Sequence, residues 1–275
     1  MRISIAFIIV LIAVFFAPTA HATYISMETG FEFRDDGHGL ILRLTTRNKG
    51  DEPAYAVQFE ASLGKVSITG KTIPRLSVNE KAGEEFEIKD AFMIPGHYPL
   101  IIKTHYQDAN SYRFSSLTLG YYDHKTPVIS NISVRGEELD VSANGGGKLK
   151  FILRNSGDQA HMLTLDLHVP NELASIEGTR TLRIGPKSEE TIAFTVKNFS
   201  ALENSSYAVF LLAQYQHDEK HNSTSGSTIV HISPMSSGLT PSLWLLITSG
   251  AVIVLGLAIF LIRRRGTAKQ LQTQL

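Results

Sequence analysis

The octet "RNKGDEPA" at residues 47–54 returns as "RNSGDQAH" at 154–161, 107 positions later. Each copy follows an alternating apolar stretch and precedes another. In "GLILRLTTRN", Leu40, Leu42 and Leu44 share one face; in "KLKFILRN", Leu149, Phe151 and Leu153 do. Downstream of the first copy, "YAVQFEASL" aligns Tyr55, Val57, Phe59, Ala61 and Leu63, and downstream of the second, "HMLTLDLHV" aligns Leu163, Leu165, Leu167 and Val169. Side chains of a strand alternate between faces, so this period of two reads as half-buried strands. The octet is then a turn. Asn48 and Asn155 tolerate left-handed backbone angles and bond locally, Gly50 and Gly157 supply positive φ, and Asp51 and Asp158 suit a turn for the same local reason. On this reading a bulky residue at either glycine costs about 1 kcal/mol or more, alike in both copies.

The repetition extends outward. "EEFEIKD" and "EETIAFTV" carry Phe86 with Ile88, and Ile192 with Phe194 and Val196. "YPLIIKTHY" places Leu100, Ile102 and Tyr106 on one side, and "YAVFLLAQYQ" places Tyr207, Val209, Leu211, Ala213 and Tyr215. Turn residues interrupt these runs every ~8–12 positions, as in a β-sandwich. The predicted fold is all-β: two tandem Ig-like antiparallel sandwiches, 23–126 and 127–233, joined near "DHKTPVIS", where Val128 begins the next strand.

The ends differ in kind. Arg2, the uninterrupted apolar run Ile3–Phe16 and the small residues Ala20 and Ala22 read as a secretory signal, 1–22, cleaved after Ala22. Fourteen helical residues reach about 21 Å, short of the ~30 Å hydrocarbon core. Near the other end, 242–262 is uncharged and long enough to span as a transmembrane helix. Trp244 suits the interface, and Arg263, Arg264 and Arg265 keep the tail 263–275 cytoplasmic. Residues 234–241 form a Ser, Gly and Pro stalk. The predicted location is the cell membrane, single-pass, with 23–241 periplasmic or extracellular.

The zero formal charge conceals segregation. Five of the 26 basic residues lie at the ends, leaving 21 against 26 acidic ones in 23–241, a formal charge of −5. This argues against a nucleic-acid partner. With no cysteine, disulfides, thiolate nucleophiles and Cys-type zinc sites are excluded.

The two copies resemble the bacterial Ig-like repeats called cell-adhesion-related domains, and similar repeats accompanying some glycoside hydrolases. The octets, "LSVNEKAGEEFEI" with "LRIGPKSEETIAF", and "GHYPLIIKTHYQD" with "SSYAVFLLAQYQHD" carry the likeness, over nearly all of 24–233. It implies a binding or spacer module without an activity. The acidic, Asn-rich ending common in that family is absent from "DANSYRFSS" and "DEKHNSTSG". That repeat type and the absence of cysteine favour a bacterial origin.

Chemistry is sparse. His217 and His221 in "HDEKH" have zinc-like spacing only if helical; they are weak metal candidates in a polar hairpin loop. "NGGGK", 144–148, lacks the Ser or Thr of a phosphate loop and reads as a hairpin turn. The pairs Asp35-Asp36, Glu84-Glu85, Glu137-Glu138 and Glu189-Glu190 belong to turns and strand starts, where neighbours diverge. Four sequons, at Asn131, Asn198, Asn204 and Asn222, are surface glycan sites if the source glycosylates. The expectation is a non-enzyme without cofactor, exposing two modules from a lipid bilayer to a protein or envelope polysaccharide. The alternatives are an accessory subunit positioning a partner enzyme in a membrane complex, and a hydrolase with an unrecognised site.

Overall fold

In the alternating stretches one side-chain set is buried and the other faces water. Leu42, Leu44, Leu149, Phe151 and Leu153 are fully buried, whereas Arg43, Lys148, Lys150 and Arg154 between them are exposed. The computed structural model describes residues 24–35 and 39–234. Among them there is no helix, and 17 strands. The first half holds β1 (Met27–Asp35), β2 (Leu40–Asn48), β3 (Ala54–Leu63), β4 (Val66–Thr69), β5 (Ile73–Leu76), β6 (Lys81–Ile88), β7 (Gly96–Gln107) and β8 (Arg113–His124). The second holds β9 (Ile132–Gly136), β10 (Leu139–Ser142), β11 (Gly146–Asn155), β12 (His161–His168), β13 (Leu173–Ser175), β14 (Arg180–Ile184), β15 (Glu189–Asn198), β16 (Ser206–His217) and β17 (Lys220–Ser233). The expected signal, 1–22, and the expected span, 242–262, lie outside the described residues.

Each half is a sandwich with its own core. In the first, the sheet β1-β2-β6 covers strands β3, β4, β5, β7 and β8, and Leu42, Leu44, Phe59, Leu100 and Ile102 are buried together. In the second, β13-β15-β11-β9 covers β14-β12-β16-β17 with β10, around Leu149, Phe151, Leu163, Phe194 and Leu211. The two copies share their register. Leu42 faces Phe86 across β2 and β6, and Leu149 faces Phe194 across β11 and β15. Tyr106 faces Phe114, and Tyr215 faces Asn222.

The copies differ in three places. A register shift in β3 between Tyr55 and Gln58 contains Ala56 at φ 47°, a bulge absent from β12. It breaks the expected alternation: Ala54 and Val57 are buried and Tyr55 is only half-buried. Second, β4 folds back to pair antiparallel with β3, whereas β13 pairs with β15 in the opposite sheet. Third, residues 108–112 join β7 to β8, but only Asp218 and Glu219 join β16 to β17.

The sandwiches form one compact unit up to Ser233. A parallel bridge, His221 to Gly96, connects β17 to β7 and merges the larger sheets into ten strands. Gly96 is required there. Its φ is 152°, and an added Cβ would lie 2.2 Å from the His221 carbonyl oxygen.

Three sequence expectations are corrected by the backbone. The strand after the junction begins at Ile132 and not at Val128. Asn144-Gly145 closes a turn, with Gly145 N–H donating to Ser142 O (2.8 Å), but β10 and β11 belong to different sheets, so the turn is a crossover and no hairpin. Gly50 and Gly157 do not have positive φ; among described glycines only Gly64 and Gly96 do.

Candidate functional site

The octets have a structural role. Asn48 and Asn155 are fully buried. Asn48 Nδ2 donates to the carbonyls of Glu52 (2.7 Å) and Leu76 (3.3 Å), and its Oδ1 accepts from Gly50 N–H (3.0 Å). Asn155 repeats this with Gln159 (2.7 Å), Gly185 (2.7 Å) and Gly157 N–H (2.9 Å). One amide thus satisfies three backbone groups and ties the turn to the end of β5 or β14. The neighbouring acids stay at the surface. Asp51 Oδ1 accepts from Tyr24 N–H (2.7 Å), and Asp158 pairs with Lys187 (3.1 Å).

His217 and His221 do not converge. A two-residue hairpin pairs His217 with Lys220 and Gln216 with His221, so the imidazoles lie on opposite faces. His217 meets the ring of His161 (centroids 5.1 Å), while His221 stacks on Tyr98 of the other sandwich (4.3 Å, 7°). The tip itself, Asp218, Glu219 and Lys220, is exposed, and the two histidines that flank it are half-buried. Among the described residues no three His, Cys, Asp or Glu side chains are grouped to hold a metal ion.

The pair Glu84-Glu85 separates as alternation requires. Glu84 accepts from Lys71 N–H (2.9 Å) on one face of β6, and Glu85 faces Arg43 (3.8 Å) on the other. Two sequons are unavailable as glycan acceptors: Asn222 is 3% exposed, and Asn198 Nδ2 donates to both Ala143 O (2.7 Å) and Ala201 O (3.1 Å). Asn131 and Asn204 are exposed.

The concave feature with the most chemistry lies between the sandwiches, a cleft of about 540 Å³ lined from both. Its floor holds Glu172, 1% exposed, in the loop before β13. Ser115 of β8 donates through N–H to Glu172 Oε1 (3.0 Å) and through Oγ to Oε2 (3.2 Å). Ser115 Oγ also accepts from Asn171 N–H (2.7 Å), so the serine's bonds link the modules. Burial raises the Glu172 carboxyl above the usual carboxylate range, against the lowering effect of the Ser115 bonds and the charge of Lys103. The walls are Tyr106 and Phe114, stacked at 5.7 Å, and Tyr207. Burial first, then the Glu172 charge, raises the Tyr106 phenol. Burial also raises Tyr207.

A second set of contacts holds the junction. Tyr121 hydroxyl donates to Ser225 Oγ (2.7 Å), Ser223 Oγ to His97 O (2.8 Å), and His221 N–H to Pro95 O (2.9 Å). Asn171 also bridges Lys103 Nζ (3.2 Å) and His105 (2.9 Å). Ile101 and Leu212, on the strand faces expected to meet solvent, are 8% and 2% exposed and line one cavity.

Sequence reasoning placed none of this. A signal existed in "PLII" and "VFLLA", which are apolar on both faces and so read as strands covered on both sides. Glu172, in "PNELA", gave no signal of its own.

No family model matches the chain, and no curated protein matches it. Solved structures overlap it weakly. Escherichia coli alpha-2-macroglobulin in its native conformation is 8% identical, over 76% of this chain and 17% of that one, with a TM-score of 0.30. A Salmonella alpha-2-macroglobulin mutant is 8% identical over 79% and 17%, at 0.34. Red sea bream transglutaminase is 12% identical over 77% and 32%, at 0.28. The chain spans less than a third of each, and likenesses at these scores carry no argument about activity.

Proposed function

We propose that this is a non-catalytic, single-pass membrane protein whose two Ig-like sandwiches stand outside the cytoplasm and bind another protein or envelope carbohydrate. One observation carries the binding half of this reading: a cleft of about 540 Å³ whose walls come from both sandwiches. Pockets of ~300–1,000 Å³ at module interfaces are common ligand sites. The resemblance to cell-adhesion-related repeats agrees with a binding role. The membrane half rests on the apolar segments 3–16 and 242–262 and on the three arginines that follow the latter.

The test uses the full-length protein in detergent as bait for membrane extracts and for wall fragments, with bound material identified by mass spectrometry. A retained partner that also competes for the cleft supports the reading. Retention of nothing from either source, or turnover of sugar, ester or peptide substrates by the purified protein, overturns it.

A further inference from the structure

Among the residues lining the cleft there are three acids, Glu52, Asp108 and Glu172, and no Lys, Arg or His. Lys103, whose charge reaches Glu172, lines a different cavity and donates to Asn171. A carboxylate buried to 1% exposure is costly unless paired and hydrogen-bonded. Glu172 accepts two bonds from Ser115 and one from its own backbone N–H, and an ionised carboxylate has about four acceptor sites, so capacity remains for one incoming donor. Tyr106, Phe114 and Tyr207 line the cleft, and aromatic rings attract cations and pack against alkyl stems.

At the rim, Tyr24 and Leu202 are 58% and 59% exposed. Covering these large apolar side chains beside the cation would add apolar burial to the contact. The cleft volume also exceeds what a single ammonium group fills. Both features favour a cation carried on a chain over a small free amine. The −5 formal charge of 23–241 attracts the same sign at longer range.

From this geometry we infer that the cleft takes a lysine or arginine side chain presented by an extended segment of a partner protein, its stem between the aromatic walls and its charged head at Glu172. The inference rests on the binding reading above and names the chemistry of the partner.

The experiment pans a random heptapeptide display library on immobilised full-length protein in detergent. Selected peptides are expected to be enriched in Lys or Arg relative to the unselected library. Replacing that residue by norleucine in a selected peptide should weaken binding at least tenfold, and Tyr207→Leu should weaken it several-fold. Glu172→Gln should abolish the enrichment while melting at the wild-type temperature. If that variant unfolds, norleucine replacement and Tyr207→Leu carry the test. Equal binding of the norleucine peptide, or enrichment without basic residues, overturns the inference but leaves a binding module. Tighter binding of n-butylamine than of the peptides assigns the cleft to free amines and overturns the partner segment. No peptide enrichment overturns the inference; if membrane extract and wall fragments are also not retained, the binding reading fails with it.

Discussion

Gly50 and Gly157 occupy the same place in two copies of one turn, yet alanine should affect them differently. A Cβ at Gly50 would lie 2.3 Å from Tyr24 O, 2.7 Å from Ile25 Cα and 2.8 Å from Ser26 N. All three are backbone atoms, so the strand entering β1 must move. That segment is held by Lys49 N–H to Ser26 O (2.7 Å), Asp51 N–H to Tyr24 O (3.0 Å) and Tyr24 N–H to Asp51 Oδ1 (2.7 Å). Losing two or three such bonds at a net ~0.5–1.5 kcal/mol each predicts a loss of about 2–3 kcal/mol for Gly50→Ala. At Gly157 the Cβ would meet only side-chain atoms, Asn131 Nδ2 and Asn155 Oδ1 at 3.2 Å and Asn131 Cβ at 3.3 Å. Asn131 is exposed and can give way, and Asn155, buried and bonded, needs to yield only slightly at 3.2 Å. Neither glycine has positive φ, so alanine also restricts the unfolded chain, a stabilising effect of ~0.4–1 kcal/mol. Gly157→Ala should therefore fall within about 1 kcal/mol of wild type. Urea midpoints and slopes of the full-length variants measure both. Equal losses at the two sites, or a Gly50→Ala midpoint at the wild-type value, would refute the steric account.

The other predictions follow from single observations. Asn48→Ala and Asn155→Ala should each cost about 2–4 kcal/mol, because each strands three backbone groups; unequal losses in the urea midpoints would separate two turns that share one bonding pattern. Amino-terminal sequencing of the membrane-extracted protein should begin at Thr23, and a start at Met1 would sink the cleaved-signal reading. Burial lowers His124, His161, His168 and His221 below the ordinary histidine range. For these groups the unfolded chain binds more protons than the folded one, so stability should fall as pH drops through ~6.5. His221→Gln should flatten part of that slope, and an unchanged midpoint between pH 7.5 and 5 would contradict it.

What was legible in the sequence was what a single module needs. Leu149, Phe151 and Leu153 announced their face because burial on one side of a strand imposes a period of two. The octet was recognisable as a turn from its chemistry. Its mechanism was not, because the groups it serves, Leu76 and Gly185, lie about 30 residues away. Tyr55 was misplaced because a bulge inserts a residue without altering composition. The junction left a trace in the doubly apolar "PLII" and "VFLLA", but which faces meet depends on how two modules pack, which neither alternating pattern encodes.

The repeat separates the two demands. Residues 169–172, which carry Glu172 between β12 and β13, stand where the first copy has only the two-residue turn Gly64-Lys65 between β3 and β4, and that turn holds no acid. Tyr215, the counterpart of Tyr106, bonds Ser130 (3.1 Å) within its own sandwich, whereas Tyr106 lines the cleft. The five residues 108–112 that bring Asp108 and Asn110 to the cleft correspond to a two-residue turn in the second copy. Core positions keep their register in both halves. A sandwich of this type therefore forms with or without the acid at this position, the cleft-facing tyrosine and the long loop. Their presence answers to the space between the modules, which is where a partner's charge would be read.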